Sequence, residues 1–335
     1  MPSSRGAADW DQIADFGVQR HAWLATFLTL PHGIPSSSTF ERVFAGLSPA
    51  GLQSCLLRWL HGCAGPLDLG HIAIDGKTLR GSGGQGLGAL HLVSAWATAA
   101  QLSLGQVAVD TKSNEITAIP LLLRLLDLRG ALVTIDAMGC QKQIAQDIVA
   151  GGGDYVLPVK DNQKGLADDL LATFLAAAAA DFAGYEHDVY ETEERGHGRT
   201  EKRSYTVLYD LSGIRDRDAW AKLTVLGMCC HERTVAGKTT EETGFFIGSR
   251  RVGAQVYGRA LRGHWGIENN LHWQLDVTFG EDGSRVRERN TAQNLALLRK
   301  WALGLLRHHP DKRSIARKQY QAALNPDFLQ EILDS

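Results

Sequence analysis

The sequence predicts an α/β protein. It has a mixed-sheet core, a mostly β insertion within that core, and an all-helical N-terminal segment. Three observations predict this. From residue 69 to about 184, short apolar runs bounded by glycine alternate with amphipathic stretches of helical period. Residues 185–250 are rich in Tyr, Thr, Val, Glu and Arg and alternate with a period of two. Residues 1–68 instead space their apolar side chains as helices do, with Trp23, Leu24, Phe27 and Leu28 on one face.

Composition limits the classes open to the chain. At 335 residues there is room for two or three domains, and 44% apolar content is enough to build a core. The N-terminus has no apolar run of a secretory signal, and the charge-free stretch 170–180 is too short and alanine-rich to span a bilayer. Five cysteines without a C-x-x-C pair indicate a reduced, cytoplasmic protein. Net charge is −2, yet residues 285–320 carry ten Lys/Arg against Glu288 and Asp311 alone, either a solvated helix face or a phosphate-facing surface.

The elements follow in order. Residues 1–68 form the helical segment, broken at Pro31 to Pro35, with Ser38 or Thr39 expected to cap the next helix and Ser48-Pro49 to start another. The core then runs over 69–184. Strands are expected at 71–75, 89–97, 102–109, 131–136 and 155–160, and helices at 114–126, 141–149 and 162–180, with a glycine-rich turn at 81–88. This βββαβαβα order is that of a ribonuclease-H-like core. The insertion occupies 185–250, the core resumes over 251–309, and 310–335 is a helical tail.

One stretch carries the chemistry: R-G-H-W-G-I-E-N-N-L-H-W-Q-L-D, at 262–276. At helical spacing Leu261, Trp265, Leu271 and Leu275 form an apolar stripe that contains Glu268. A carboxylate there needs a cationic partner. Asp75 and Asp136 each follow an apolar strand, and in this fold those strands are parallel neighbours. Three hard oxygen ligands suit Mg²⁺ or Mn²⁺. Either aspartate alone could instead be a turn residue. Zinc on His264, Glu268 and His272 is a weaker reading, and Cys229-Cys230-His231 reads as a core strand. Gly76-Lys77-Thr78 is not a phosphate loop, because position 71 is histidine. Trp265 and Trp273 read as core.

Several blocks resemble one family closely. They are H-G-I-P-S-S-S-T-F at 32–40, A-I-D-G-K-T-L-R-G-S at 73–82, K-S-N-E-I-T-A-I-P at 112–120 and V-T-I-D-A-M-G-C-Q at 133–141. D-Y-V-L-P-V-K-D-N-Q at 154–163, H-G-R at 197–199 and H-W-G-I-E-N-N-L-H-W-Q-L-D-V-T-F-G-E-D at 264–282 complete the set. On these, the chain resembles the DDE transposases of bacterial insertion sequences, in the H-repeat-associated branch, over nearly all of residues 10–305.

The resemblance implies a ribonuclease-H-like catalytic core in which Asp75, Asp136 and Glu268 bind Mg²⁺ or Mn²⁺. It implies cutting of double-stranded DNA at terminal inverted repeats and joining of the 3′-hydroxyl to a target, by a homodimer in the bacterial cytoplasm. Lys77, Arg80, Lys160, Asn162, Gln163, Arg199, Arg203, Arg262, His264 and Asn269 are the expected DNA contacts. The Tyr, Arg and Lys that related transposases carry around the glutamate are Leu261, His264 and Leu275 here, so those roles do not transfer. The chain is expected to start late, lacking a helix ahead of Trp10. The alternatives are a silent, truncated DNA-binding copy and a nuclease on the same core.

Overall fold

The computed structural model describes residues 9–64, 70–84, 86–109, 113–196 and 198–334, with the side chains of 60–64 left aside. Lys112 and His197, part of the blocks above, lie outside the described residues. Four helices come first among the described residues: α1 (Trp10–Gln19), α2 (His21–Leu24), α3 (Ser37–Gly46) and α4 (Pro49–Ala64). The cap of α3 is Ser36, whose side chain accepts from the Thr39 N–H, and not Ser38 or Thr39. The helix therefore begins ahead of both.

A nine-stranded mixed sheet follows, in the order β3-β2-β1-β4-β5-β9-β8-β7-β6. Its strands are β1 (His71–Leu79), β2 (Leu90–Ala97), β3 (Leu102–Ala108), β4 (Leu132–Ile135), β5 (Asp154–Val159), β6 (His187–Gly196), β7 (Arg199–Leu208), β8 (Val225–Val235) and β9 (Lys238–Gly248). The first three form the antiparallel meander the alternating apolar runs predict. β1, β4 and β5 are parallel. The insertion strands are not a detached layer: β9 pairs antiparallel with β5 from Val156↔Gly248 to Val159↔Phe245.

Alternation along β1 sends its side chains to two cores. Ile72 and Ile74 are fully buried under α5 (Glu115–Leu123), α6 (Lys142–Ala150) and α7 (Lys164–Ala179), with Ile119, Ile144 and Leu170 among their companions. Ala73 faces the other way, where Trp96 packs against Ile267, Leu271, Leu275 and Leu303. Those four come from a long helix, α8 (Ala254–Gly266) continuing through a π-helical turn (Ile267–His272) into α9 (Trp273–Val277), and from α10 (Arg289–His308). The tail folds as α11 (Ile315–Leu324) and α12 (Pro326–Leu333).

The N-terminal helices dock on α10 and β3. Asn294 Nδ2 donates to the carbonyls of Phe44 and Leu47, and Gln53 Oε1 accepts the Gln106 N–H at 2.7 Å. Beneath, Lys300 is fully buried, its Nζ donating to Ser94 Oγ and Gln106 Oε1 at 2.7 Å each. Lys318 is buried too, on the carbonyls of Leu306 and His309. The basic run of 285–320 is thus not uniformly outward, and both lysines leave any phosphate-facing surface.

Within the inserted strands, Gly227 on β8 faces Phe246 on β9, and a Cβ at Gly227 would fall inside that ring. Gly227→Ala should therefore overpack this core, costing about 2 kcal/mol and lowering the urea midpoint at unchanged slope. An unaltered midpoint would show that the ring can move aside.

Candidate active site

The β1–β4 ladder ends at Ile74↔Ile135, so Asp75 and Asp136 are the next residue on each strand. β1 continues to Leu79 against β2, so Asp75 stands mid-strand and not at a strand end, as the sequence suggested. Only its β4 side is open. The chain after β4 turns at once through a short 3-10 segment, Ala137–Gly139, which Asp136 caps by accepting the Gly139 N–H at 3.1 Å. Asn162 Nδ2 donates to the Ala137 carbonyl at 2.8 Å and Gln163 Nε2 to the Cys140 carbonyl at 2.9 Å. These two expected DNA contacts therefore brace the Asp136 turn.

Glu268 is not on the buried stripe. It is exposed on the π-helical turn, while Ile267, Leu271 and Leu275 are fully buried. The extra residue in that turn shifts the faces that a 3.6-residue period would assign. Trp265 and Trp273, expected in the core, are 57% and 53% exposed. Asn269 is exposed beside them, its Nδ2 on the Trp265 carbonyl.

The electrostatics single out Asp75. Burial, then the charges of Glu115, Glu268 and Asp136, push its carboxyl up to about 7, against the hydrogen bond from the Gly76 N–H. Asp136 is raised by burial and by Glu115, and drawn back by its backbone hydrogen bonds and by exposed Lys160. Burial holds His272 neutral, at about 3, with Nδ1 3.4 Å from Asp75 Oδ2. His264 is also neutral through burial, and its Nδ1 meets Thr134 Oγ1 at 3.0 Å; Thr134 in turn meets His71 Nε2 at 2.8 Å. His264 therefore ties the long helix to β4.

Lys77, another expected phosphate contact, is turned inward. Its Nζ lies 2.6 Å from Asp276, 3.3 Å from Glu281 and 3.4 Å from Asp282, clamping β1 to α9 and to the chain just after it. Arg203 is buried on Glu201 and near Glu194. Arg80, Arg199 and Arg262 are the more open cations, with side chains 82%, 44% and 49% exposed, each within ion-pair reach of one carboxylate: Asp282, Glu201 and Glu194 respectively.

The donor set suits a hard divalent cation. Asp75 and Asp136 present carboxylate oxygens whose ionised forms burial opposes, and a cation would relieve that cost. Among the described residues, however, no three His, Cys, Asp or Glu side chains converge closely enough to hold an ion, whether as an Asp75–Asp136–Glu268 triad or as a zinc site on His264 and His272. Glu268 reaches Asp75 by its field and not by ligand contact.

A family model described as Transposase DDE domain matches residues 66–305, and a second, described as DDE_Tnp_1-associated, matches residues 3–60. The chain belongs to the DDE transposase family. "Putative transposase YncI" of Escherichia coli O157:H7 is 39% identical over 98% of this chain and 86% of its own length. "H repeat-associated putative transposase YhhI" of Escherichia coli strain K12 is 36% identical over 98% of this chain and 88% of its own. The cryo-EM structure of the piggyBac transposase synaptic complex with hairpin DNA overlaps at a TM-score of 0.43 and 10% identity, covering 100% of this chain and 84% of that one, too loose a likeness to argue from.

One acid at this edge of the DDE transposase fold is absent from the sequence reading. Glu115 sits in the first turn of α5, where an acid reads simply as favourable to the helix dipole. Its neighbour on β2, His91, gave no signal beyond strand alternation.

Asp75 offers a direct measurement in metal-free protein. Its folded carboxyl keeps a proton to higher pH than the unfolded one, so stability falls as pH rises from about 4 to about 7. Asp75→Asn removes that dependence. The variant should gain on wild type by about 2 kcal/mol between pH 5 and pH 8 in chelator, read by urea denaturation. Parallel pH profiles would show that Asp75 ionises freely.

Proposed function

We propose that this DDE transposase cuts double-stranded DNA at the ends of an insertion sequence and joins the freed 3′-hydroxyl to target DNA, with Asp75, Asp136 and Glu268 as the ligands of Mg²⁺ or Mn²⁺. The observation that carries this reading is the register of β1 on β4. It delivers two half-buried aspartates side by side at one open sheet edge, with the Glu268 helix packed on the same strands. Strands β1 to β5 with α5 to α7 support a ribonuclease-H-like core, of which 69–184 and 251–309 are the two parts and 185–250 the insertion.

When bound, the ions supply polarisation of the attacking and leaving oxygens of an in-line displacement. The chain contributes the rest. The sheet fixes Asp75, and the braced turn fixes Asp136. Glu268, exposed on its π-helical turn, is the ligand left to close onto the pair. Lys160 beside Asp136, with Arg80, Arg199 and Arg262, offers charge to the DNA backbone. Two ends must be paired for transposition, so the working unit is at least a homodimer on DNA.

The test uses purified protein, Mg²⁺ or Mn²⁺, and a labelled duplex carrying the element's end. Cleavage followed by joining is expected, and each of Asp75→Asn, Asp136→Asn and Glu268→Gln should reduce both to background. Cleavage that never proceeds to joining would make the protein a nuclease. End-specific binding without cleavage would make it a silent binder.

The cations can be checked separately. Arg262→Ala should flatten the slope of log affinity against log salt by about one unit, and an unchanged slope would remove Arg262 from the DNA surface.

A further inference from the structure

We propose that Arg285, Arg287 and Arg299 form a seat for a backbone phosphate of DNA, in the cleft where the N-terminal helices meet α10. This rests on the reading of DNA as the substrate.

The basic run of 285–320 divides by what its side chains touch. Lys300 and Lys318 are interior. Arg289 donates to the Gly88 carbonyl at 2.7 Å, Arg307 donates to the Asn270 carbonyl, and Arg313 pairs with Asp311. Arg285, Arg287 and Arg299 have neither a hydrogen bond nor an ion pair among the described residues. All three line one cleft, of about 430 Å³.

Local structure places them there. The chain is extended at Ser284 and again at Glu288, ahead of α10. Between them Val286 packs against Leu79, Leu90 and Leu92, and Arg285 and Arg287 on either side of it are exposed. Arg287 rests on the glycine-rich turn, with its Cζ 3.0 Å from where a Cβ of Gly84 would stand. Arg299 rises from α10 and is half-buried, and burial draws its guanidinium below the usual range, against the field of Glu281. The opposite wall is α1 and α3, fixed to α10 by Asn290 Nδ2 on the Ala45 carbonyl at 3.1 Å.

The acids of the cleft do not answer these donors. Asp9 accepts the Gln12 N–H at 2.9 Å, and Glu288 accepts the N–H groups of Asn290 and Thr291, so each is spent as a helix cap. Glu41 is exposed on the far wall. Charge in the lining is balanced, but hydrogen bonding is not, because each guanidinium carries several N–H donors in a planar fork. Phosphate oxygens match that fork.

The position of the cleft favours DNA over a free anion. The segment ahead of Arg285 is clamped to the strand that carries Asp75: Lys77 meets Glu281 and Asp282, and a Cβ at Gly81 would overlap the Ser284 carbonyl. Exposed Arg80 stands 3.5 Å from Asp282 on the same clamp. A polyanion can engage Arg80 and the cleft together and stay in register with the Asp75 edge. A lone phosphate cannot.

The experiment measures DNA affinity of the full chain against salt, by anisotropy of a labelled duplex carrying the element's end. Arg285→Gln, Arg287→Gln and Arg299→Gln should each flatten the slope of log affinity against log salt by about one unit, and Arg317→Gln, on exposed α11, should leave it unchanged. Wild-type slopes in all three cleft variants, with Arg262→Ala still flattening, would overturn the seat and leave the DNA reading intact. Equal flattening by Arg317→Gln would reduce the effect to net charge and overturn it too. Wild-type protein without salt-dependent binding would overturn the DNA reading, and this proposal with it. Calorimetry with inorganic phosphate separates the sources: phosphate binding lost in Arg299→Gln at an unchanged DNA slope would make the cleft a small-anion site and overturn the proposal. If Arg299→Gln fails to fold by thermal unfolding, phenylglyoxal labelling of wild type decides. The duplex should protect Arg285, Arg287 and Arg299, and equal labelling with and without it would overturn the seat.

Discussion

The structure depends on where one ladder ends. β1 and β4 run parallel for four pairs and then part, and the residues at the parting are Asp75 and Asp136. Parallel pairing demands a covered sheet, and helices lie on both of its faces here. Burial and proximity then make the two aspartates costly to ionise together. The fold tolerates this because rigid groups surround the edge: the turn braced by Asn162 and Gln163, and the lysine clamp from β1 to α9.

The face that receives the Glu268 helix is built from neutral histidines and one buried lysine. His71, Thr134 and His264 form a hydrogen-bonded chain from β1 through β4 to the helix. Burial lowers His71 and His264 to about 4, so neither adds charge near the aspartates at neutral pH. Lys300, lowered to about 8 by burial, anchors β2 and β3 from α10. The positive charge along α10 thus partly serves the interior, which its sequence run alone does not reveal.

The strands and helices of the core were legible because glycine-bounded apolar runs and amphipathic periods are local signals. Asp75 and Asp136 were legible for the same reason, each following an apolar strand. The orientation of Glu268 was not. A period of 3.6 residues placed it with the buried Leu271 and Leu275, whereas it stands exposed on the π-helical turn, with Trp265 and Trp273 exposed on either side of that turn. Roles that depend on distant partners also escaped. Lys77 meets acids some 200 positions away, and His264 meets a threonine 130 positions away, so both looked like surface groups in the chain. Glu115 was hidden because a first-turn acid already has a sufficient local explanation.

The pairing of β9 with β5 has a mechanical consequence. Strands β6 to β9 share the sheet of β1 to β5 through the β5–β9 ladder. A force on the outer hairpins would pass along the ladder to β5 and β4 as twist or shear. Strands β6 to β9 are a lever arm welded to β5, and what bends under load is the sheet that leads to Asp136.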